Sequence, residues 1–468
     1  MKWPVLALAL CQWCLFALGR SAFGSRVLVV LDALSEQDRF SQFWSSLQGR
    51  GFQLTFREAS NGPALLQEGE AAFDHVVLFA PKSKQLSADL SPQSLFAFLG
   101  DASADTPHNM LVALSSDATE AWKDLAREFS LDFDARNSLL IDHHQFEPSL
   151  DVAASHSTVA LPPRDQAQAV QGSRPIVSQA VAQGAPVLYR GIAHTIPANF
   201  PLATTVLAGS PTSYSYDQPL DSADSQPIVE SELDGSNGPV LIGQEAKLVS
   251  AFQTLTGSRA LWSGSLDLFS DEFAQASIKG QKSGNAAFLK DISQWTFQET
   301  GVLRVDAIRH HLAGEDEQRD QYRVRKELVY EIELSQFAQD KWQPVSLEGL
   351  QLEVTMLDPF WRVPLEPSTH CSPILPSSTC YGATVKLPDR HGVFTLFVDF
   401  KRSGWTSIEE KKTIAVTPPR HDEHARFLPG AWPYYVSSLV TVSVFLAFVT
   451  LWLGLEPSSQ VASGKKAQ

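Results

Sequence analysis

RVLVVLD, residues Arg26 to Asp32, opens the pattern that decides the fold. Its apolar run Val27–Leu31 is followed by similar short runs at Leu54–Phe56, Val76–Phe79 and Leu111–Leu114, with helix-like stretches between them. Short apolar runs alternating with amphipathic segments are the rhythm of βαβ units, whose parallel strands are buried on both faces. The first connecting helix is expected to start at Ser35, with Asp38 three residues on. It would place Phe40, Phe43, Trp44 and Leu47 on one stripe before Gly49 and Gly51. A second opens at Ser91 and Pro92 and stops at Gly100. A third runs from Asp117, with Glu120 completing a capping box, through Trp122, Leu125 and Phe129. Residues 25–150 therefore predict an open, mostly parallel α/β sheet domain, flavodoxin-like or amidotransferase-like.

Residues 151–185 are dominated by Ala, Ser, Gln and Pro and read as a loop or covering segment. Strand signals resume at Val187–Arg190, Thr204–Ala208, Leu248–Phe252 and Ala260–Ser263, and Phe288, Ile292 and Trp295 recur at helical spacing within Ala286–Trp295. This gives a second α/β portion over 151–300, interrupted by a polar, acidic loop from Asp217 to Asn237. From 301 to 420 the pattern changes to short alternating strands at Leu328–Leu334, Leu350–Thr355, Ala383–Leu387, Val393–Phe400 and Thr413–Val416. That alternation predicts a membrane-proximal β-sandwich.

The sandwich is called membrane-proximal because Phe427 to Leu455 carries no charge. At ~1.5 Å per residue, a helix over 433–455 crosses a hydrocarbon core of about 30 Å. Trp432, Tyr434 and Tyr435 at one end and Trp452 near the other suit the membrane–water boundary. Residues 1–24 read as a secretory signal peptide: Met1 and Lys2, the apolar run Val5–Leu18, then small residues that allow cleavage after Gly19 or Gly24. The expected topology is a large luminal body, one span, and a cytosolic tail over 456–468. Lys465 and Lys466, fourth and third from the end, resemble the dilysine signal that returns membrane proteins to the endoplasmic reticulum.

A formal net charge of −15 argues against nucleic acid as a partner. A body of about 400 residues exceeds what one core serves, so two or three domains are expected. Of four cysteines, Cys11 and Cys14 leave with the leader, and Cys371 and Cys380 are expected to form a disulfide in an oxidising compartment. A zinc site adding His370 matches no standard ligand spacing. No asparagine is followed two places on by Ser or Thr, so the chain offers no N-linked glycan acceptor.

Catalytic signals are sparse. Asp142, His143 and His144 follow the apolar run Leu139–Ile141, and an Asp-His-His triplet occurs in one class of metal-dependent phosphoesterases. A luminal metal-dependent hydrolase is thus the alternative reading, set against histidines that merely cap a strand end. Those enzymes need further strand-end aspartates, for which Asp32 is the one obvious candidate. Residues 25–370 contain no cysteine, so a thiol nucleophile is excluded there. Ser115, Ser116 and Ser265 follow strands but lie in no Gly-x-Ser-x-Gly elbow. Asp267 and Asp271, four apart, read as a helix cap. His310 and His311, beside Arg309, read as an exposed connection. Trp361 and Trp405 are candidates for stacking on sugars in a glycan-binding module, against packing roles for the same rings. No phosphate-cradling glycine loop is present.

Ten stretches occur in a recognisable order: RVLVVLD (Arg26–Asp32), GFQLTF (Gly51–Phe56), IDHH (Ile141–His144), PVLYRG (Pro186–Gly191), GSPTSYS (Gly209–Ser215), WSGSLDLFSD (Trp262–Asp271), GVLRV (Gly301–Val305), DPF (Asp358–Phe360), GVF (Gly392–Phe394) and RFLPGAWPYY (Arg426–Tyr435). Together they resemble the DDOST family, the single-pass accessory subunit of the oligosaccharyltransferase complex, called the wheat-germ-agglutinin-binding subunit in fungi. The resemblance implies a non-catalytic subunit of the assembly that transfers a preassembled oligosaccharide from dolichyl diphosphate to Asn in Asn-x-Ser/Thr. The metal and the chemistry would reside in a multi-spanning catalytic subunit. Implied partners are that subunit, ribophorin-type and small membrane subunits, the endoplasmic reticulum membrane and the translocon. The family supplies no catalytic, cofactor or metal residues to carry over. Ser368–Tyr381, with its cysteine pair, departs from the family pattern.

Overall fold

The computed structural model describes residues 21–67, 70–83, 87–100, 106–151, 155–163, 172–198, 200–217, 241–368, 371, 375–423 and 429–455. The expected leader to Arg20, most of the acidic 217–237 loop, His370, and Lys465 and Lys466 lie outside the described residues.

The central sheet has nine strands: β1 (Arg26–Leu31), β2 (Gln53–Glu58), β3 (His75–Phe79), β4 (Asn109–Ala113), β5 (Asp132–Phe133), and further along the chain β7 (His194–Thr195), β8 (Ala203–Ala208), β10 (Lys247–Gln253) and β11 (Arg259–Ser263). Two more strands, β6 (Ser138–Ile141) and β9 (Tyr214–Asp217), pair with each other outside it. The order across the sheet is β2-β1-β3-β4-β11-β10-β7-β5, with β8 also on β10. The first five run parallel, and β10 turns the sheet antiparallel. Strands from 25–150 and from 151–300 therefore share one sheet.

β1 shows why this sequence makes a buried parallel strand. Val27, Val29 and Leu31 join one core, and Leu28 and Val30 join the core on the opposite face. All five are fully buried, each contributing about 1.5–3 kcal/mol relative to exposure. Helices α1 (Ser41–Gly49) and α4 (Asn285–Thr296) cover the first face, and α2 (Pro92–Gly100) and α3 (Glu120–Glu128) cover the second.

Two helix starts differ from expectation. Leu34–Phe40 is a 3₁₀ turn, and α1 begins only at Ser41. Its first free N–H groups are not capped locally: Asp271 accepts from Ser41 N at 3.0 Å and Gln42 N at 2.9 Å. α3 begins at Glu120 after Thr119, without a side-chain cap, and Asp117 lies 3.6 Å from Lys82 instead of capping it. The Ser91 cap of α2 is present, its Oγ accepting from Ser94 N at 3.3 Å.

Two five-stranded sheets form the sandwich. One contains β12 (Val302–Leu312), β14 (Glu327–Ala338) and β17 (Thr379–Lys386). The other is ordered β13 (Gln321–Arg323), β19 (Ile408–Thr417), β18 (Gly392–Phe400), β15 (Gln351–Met356), β16 (Asp358–Pro364). Phe394, Leu396, Val398 and Phe400 alternate inward onto Leu328, Tyr330, Ile332 and Leu334 of the facing sheet. The sandwich hangs from the α/β unit at Gly301 and Trp405. Thr406 N donates to Gly301 O at 2.9 Å, Gln253 Nε2 to Trp405 O at 2.8 Å, and Trp295 Nε1 to Gly404 O at 3.2 Å. β12 and β19 both start at this junction and run away from it, so Leu312 and Thr417 mark a far end.

Cys371 and Cys380 are joined, as expected, beside β14, where Cys380 pairs with Glu333. Replacing both with Ala is expected to lower stability by about 2–3 kcal/mol, the loop-closure entropy of so short a ring. Denaturant unfolding checks it; because the loop is local, the midpoint should move without a change of slope.

Beyond the sandwich, α5 (Trp432–Gly454) is long and apolar enough to cross a membrane, and none of its residues is buried against the body.

Candidate functional site

In open α/β sheets ligands bind beyond the carboxyl ends of the parallel strands. Here those ends present Asp32 after β1, Pro81 and Lys82 after β3, Ser115 and Ser116 after β4, and Gly264 and Ser265 after β11. An enzyme of this architecture would keep its reactive groups in that crevice. Here Asp32, Ser265 and Asp267 are spent on structure, and Ser115 Oγ is buried without a hydrogen-bond partner.

Asp32 accepts from Lys82 N at 3.2 Å and from Ser83 Oγ at 2.7 Å. Ser265 Oγ donates to Arg190 O at 2.5 Å and accepts from Leu268 N at 3.1 Å, with no base beside it. Asp267 does not cap a helix: it is clamped between Arg39 and Arg190, the latter at 2.7 Å. Asp271 caps α1, and the short helix it opens is capped by Ser270 instead. Across the crevice, Gly191 and Gly264 bring their backbones into contact, and Ile192 N donates to Gly264 O at 3.0 Å. A Cβ on either glycine would strike the other segment's backbone. The loop carrying Arg190 and Gly191 thus lies where a substrate would enter.

The Asp-His-His triplet is split by the fold. Asp142 is fully buried and accepts from His144 N at 2.8 Å, Gln145 N at 3.1 Å, Thr212 Oγ1 at 2.9 Å and Ser210 Oγ. Burial pushes its pKa up, but the bonds from Ser210, His144, Thr212 and Gln145 outweigh it and hold the carboxyl below the ordinary Asp value. His143 and His144 are exposed. The His143 ring contacts His156, and its Nε2 lies 3.0 Å from Tyr214 Oη. Asp142 therefore ties the turn after β6 to the Ser210–Thr212 loop, its oxygens taken up by bonds from that loop and from the backbone of His144 and Gln145. Asp142→Ala is expected to cost about 2–4 kcal/mol by stranding several donors, whereas His143→Ala and His144→Ala should stay within about 0.5 kcal/mol of the parent. Thermal unfolding of the three variants separates these outcomes.

Among the described residues, the group of His, Cys, Asp and Glu with metal-like spacing is Glu331 with Cys371 and Cys380, whose sulfurs are already bonded to each other. A buried histidine–serine pair exists, His194 Nε2 at 2.6 Å from Ser250 Oγ, but both residues are sealed from solvent. His310 lies in β12 rather than in an exposed connection. It is buried with Nδ1 2.7 Å from Tyr322 Oη, and burial lowers its pKa. Trp405 is 8% exposed with Arg174 over its ring, which gives it a packing role, and Trp361 packs partly buried against the sandwich core.

Residues 18–299 match the OST48 N-terminal domain, and residues 310–456 match the OST48 middle domain. The chain belongs to the OST48 family. The dolichyl-diphosphooligosaccharide–protein glycosyltransferase 48 kDa subunit of Drosophila melanogaster is 33% identical over 478 residues, covering 99% of this chain and 98% of its own length. The subunits of the same name from Danio rerio and Arabidopsis thaliana are each 30% identical. They cover 92% of this chain, and 91% and 92% of their own lengths. In this OST48 fold, the stretches PVLYRG and WSGSLDLFSD supply Gly191, Gly264, Arg190 and Asp267, and IDHH and GSPTSYS supply the Asp142 anchor. Sequence reasoning passed over Arg190, Ser210 and Thr212. Their signal lay in those stretches, but their role depends on contacts across 68 to 77 residues.

Proposed function

We propose that this chain is a non-catalytic, single-pass subunit of the oligosaccharyltransferase complex. Its body would lie in the lumen of the endoplasmic reticulum and α5 in the membrane. Membership of the OST48 family supports an accessory role in protein N-glycosylation. The observation that carries the non-catalytic reading is the occupied crevice: Asp267 clamped by two arginines beneath the Gly191–Gly264 backbone contact. What remains is a packed body followed by an apolar helix with no buried residue, suited to holding other subunits together.

The proposed partners are the multi-spanning catalytic subunit, ribophorin-type and small membrane subunits, and the translocon. Lys465 and Lys466 are proposed to return the assembled complex to the endoplasmic reticulum. Of the two leader cleavage sites, Gly19 is favoured. Ser21 Oγ donates to Phe297 O at 2.7 Å and Ala22 N to Gln298 O at 3.1 Å, bonds that cleavage after Gly24 would discard. Gentle solubilisation followed by isolation through a tag on this chain tests the main reading. Glycosyltransferase subunits and oligosaccharide transfer should come with it, and isolation of a chain bare of both contradicts the proposal.

A further inference from the structure

The far end of the sandwich carries a feature that the fold does not use. Leu357, between β15 and β16, is the most exposed large apolar residue among those described, at 103% of its reference area. Its φ of 70° lies in the left-handed region, which glycine and asparagine enter far more easily than leucine. Leu357 is the one residue joining Met356 to its partner Asp358, so the turn needs the left-handed backbone but not a leucine, whose exposed side chain serves no core, and such outliers point toward function. Met356 beside it lies against Gly392. Val393, 63% exposed, stands level with Leu357 in the register that pairs Thr355 with Thr395. The other turns at this end expose charge instead: Glu315, Asp316 and Glu317 in one, Asp389, Arg390 and His391 in another.

We propose that Leu357, with Met356 and Val393, is a membrane-interface anchor that seats the sandwich on the lipid surface. The partner is a bilayer because of where the chain goes next. β19 ends at Thr417 two strands away from β15, about 10 Å at ordinary strand spacing. Arg323 then holds Glu423 at 2.8 Å against the same end. From Glu423 only six residues lead to Pro429, at most about 20 Å of chain, before α5 begins. The lipid surface is therefore within reach of this end. An apolar side chain projecting from a charged rim suits the boundary between headgroups and acyl chains, at the level marked by Trp432, Tyr434 and Tyr435. The proposal rests on α5 being a membrane span.

The test uses the full chain in phosphatidylcholine nanodiscs, with nitroxide labels on Leu357→Cys, on Leu446→Cys within α5, and on Leu255→Cys. Leu255 is 58% exposed and lies at the junction end. The ratio of oxygen to nickel-chelate collision rates should be several-fold higher at 357 and 446 than at 255. Water-like values at 357 with lipid-like values at 446 overturn the anchor while leaving the span intact. Water-like values at both overturn the span reading itself. A 357 label shielded from both reagents in the purified complex marks a protein neighbour and also overturns the anchor. Leu357→Asn fits the left-handed backbone, so it should keep the melting temperature while lowering the ratio several-fold for a label on Val393→Cys. An unchanged ratio there contradicts the role given to Leu357.

Discussion

Arg259→Met is expected to destabilise the body by about 2–4 kcal/mol, as much as the loss of the Asp142 anchor. The side chain is completely buried at the junction of the α/β unit and the sandwich. Nη1 donates to Trp295 O at 2.6 Å and Thr300 O at 2.8 Å, Nη2 donates to Gly301 O at 2.7 Å, and the guanidinium lies over the Trp295 ring at 4.6 Å. These carbonyls belong to the last turn of α4 and the link into β12, where a helix leaves acceptors unpaired and attracts a cation. Methionine fills most of the volume, so the cost is polar: Thr300 O loses its donor, while Trp295 O and Gly301 O each lose one donor and keep Gln298 N and Thr406 N, at about 1–3 kcal/mol for each lost bond with partial relaxation. Arg259→Lys should recover little, because one ammonium cannot span the three carbonyls in a plane. Urea unfolding of the solubilised chain, with proteolysis near Gly301 as a second readout, measures the loss. Stability equal to the parent would mean that the junction is held by other contacts.

Acid is expected to be as damaging. Burial, with Lys247 adding to it, pushes the His194 pKa down to about 3. Burial likewise lowers His75 to about 4, although Asp74 acts to raise it. In the unfolded chain both return to about 6.5. Between those values the unfolded state binds more protons, so stability falls as pH falls. The contribution is complete above about pH 6.5 and is lost at about 1.4 kcal/mol per unit for each histidine as pH approaches 4. By pH 5 the two together remove about 4 kcal/mol. The double variant His75→Asn, His194→Gln should therefore be less stable at neutral pH yet show a much shallower slope from pH 6.5 to 5. An equally steep slope in that variant would assign the acid sensitivity to other groups.

The α/β rhythm was legible because β1, β3 and β4 are apolar after their first residue, a pattern that follows from burial on both faces. The disulfide was legible because two cysteines remain after the leader is set aside. What escaped was every feature built from distant partners. The α1 start depends on Asp271, 230 residues away, so local capping rules placed it at Ser35. Asp142 looked like a metal ligand because its neighbours are histidines, and only the Ser210–Thr212 loop, brought alongside by the pairing of β6 with β9, shows its carboxylate to be an anchor. Likewise, the alternation that buries His310 is a period-2 pattern shared by any exposed strand of the same composition.

The central claim is that this chain holds the complex together without performing its chemistry. The most direct test is the transfer rate per assembled complex when this subunit carries Asp32→Asn, His143→Ala and His144→Ala together, removing the candidate reactive groups that are not buried anchors. The predicted result is an intact complex with an unchanged rate. An intact complex whose rate collapses would contradict the account and place chemistry in this chain.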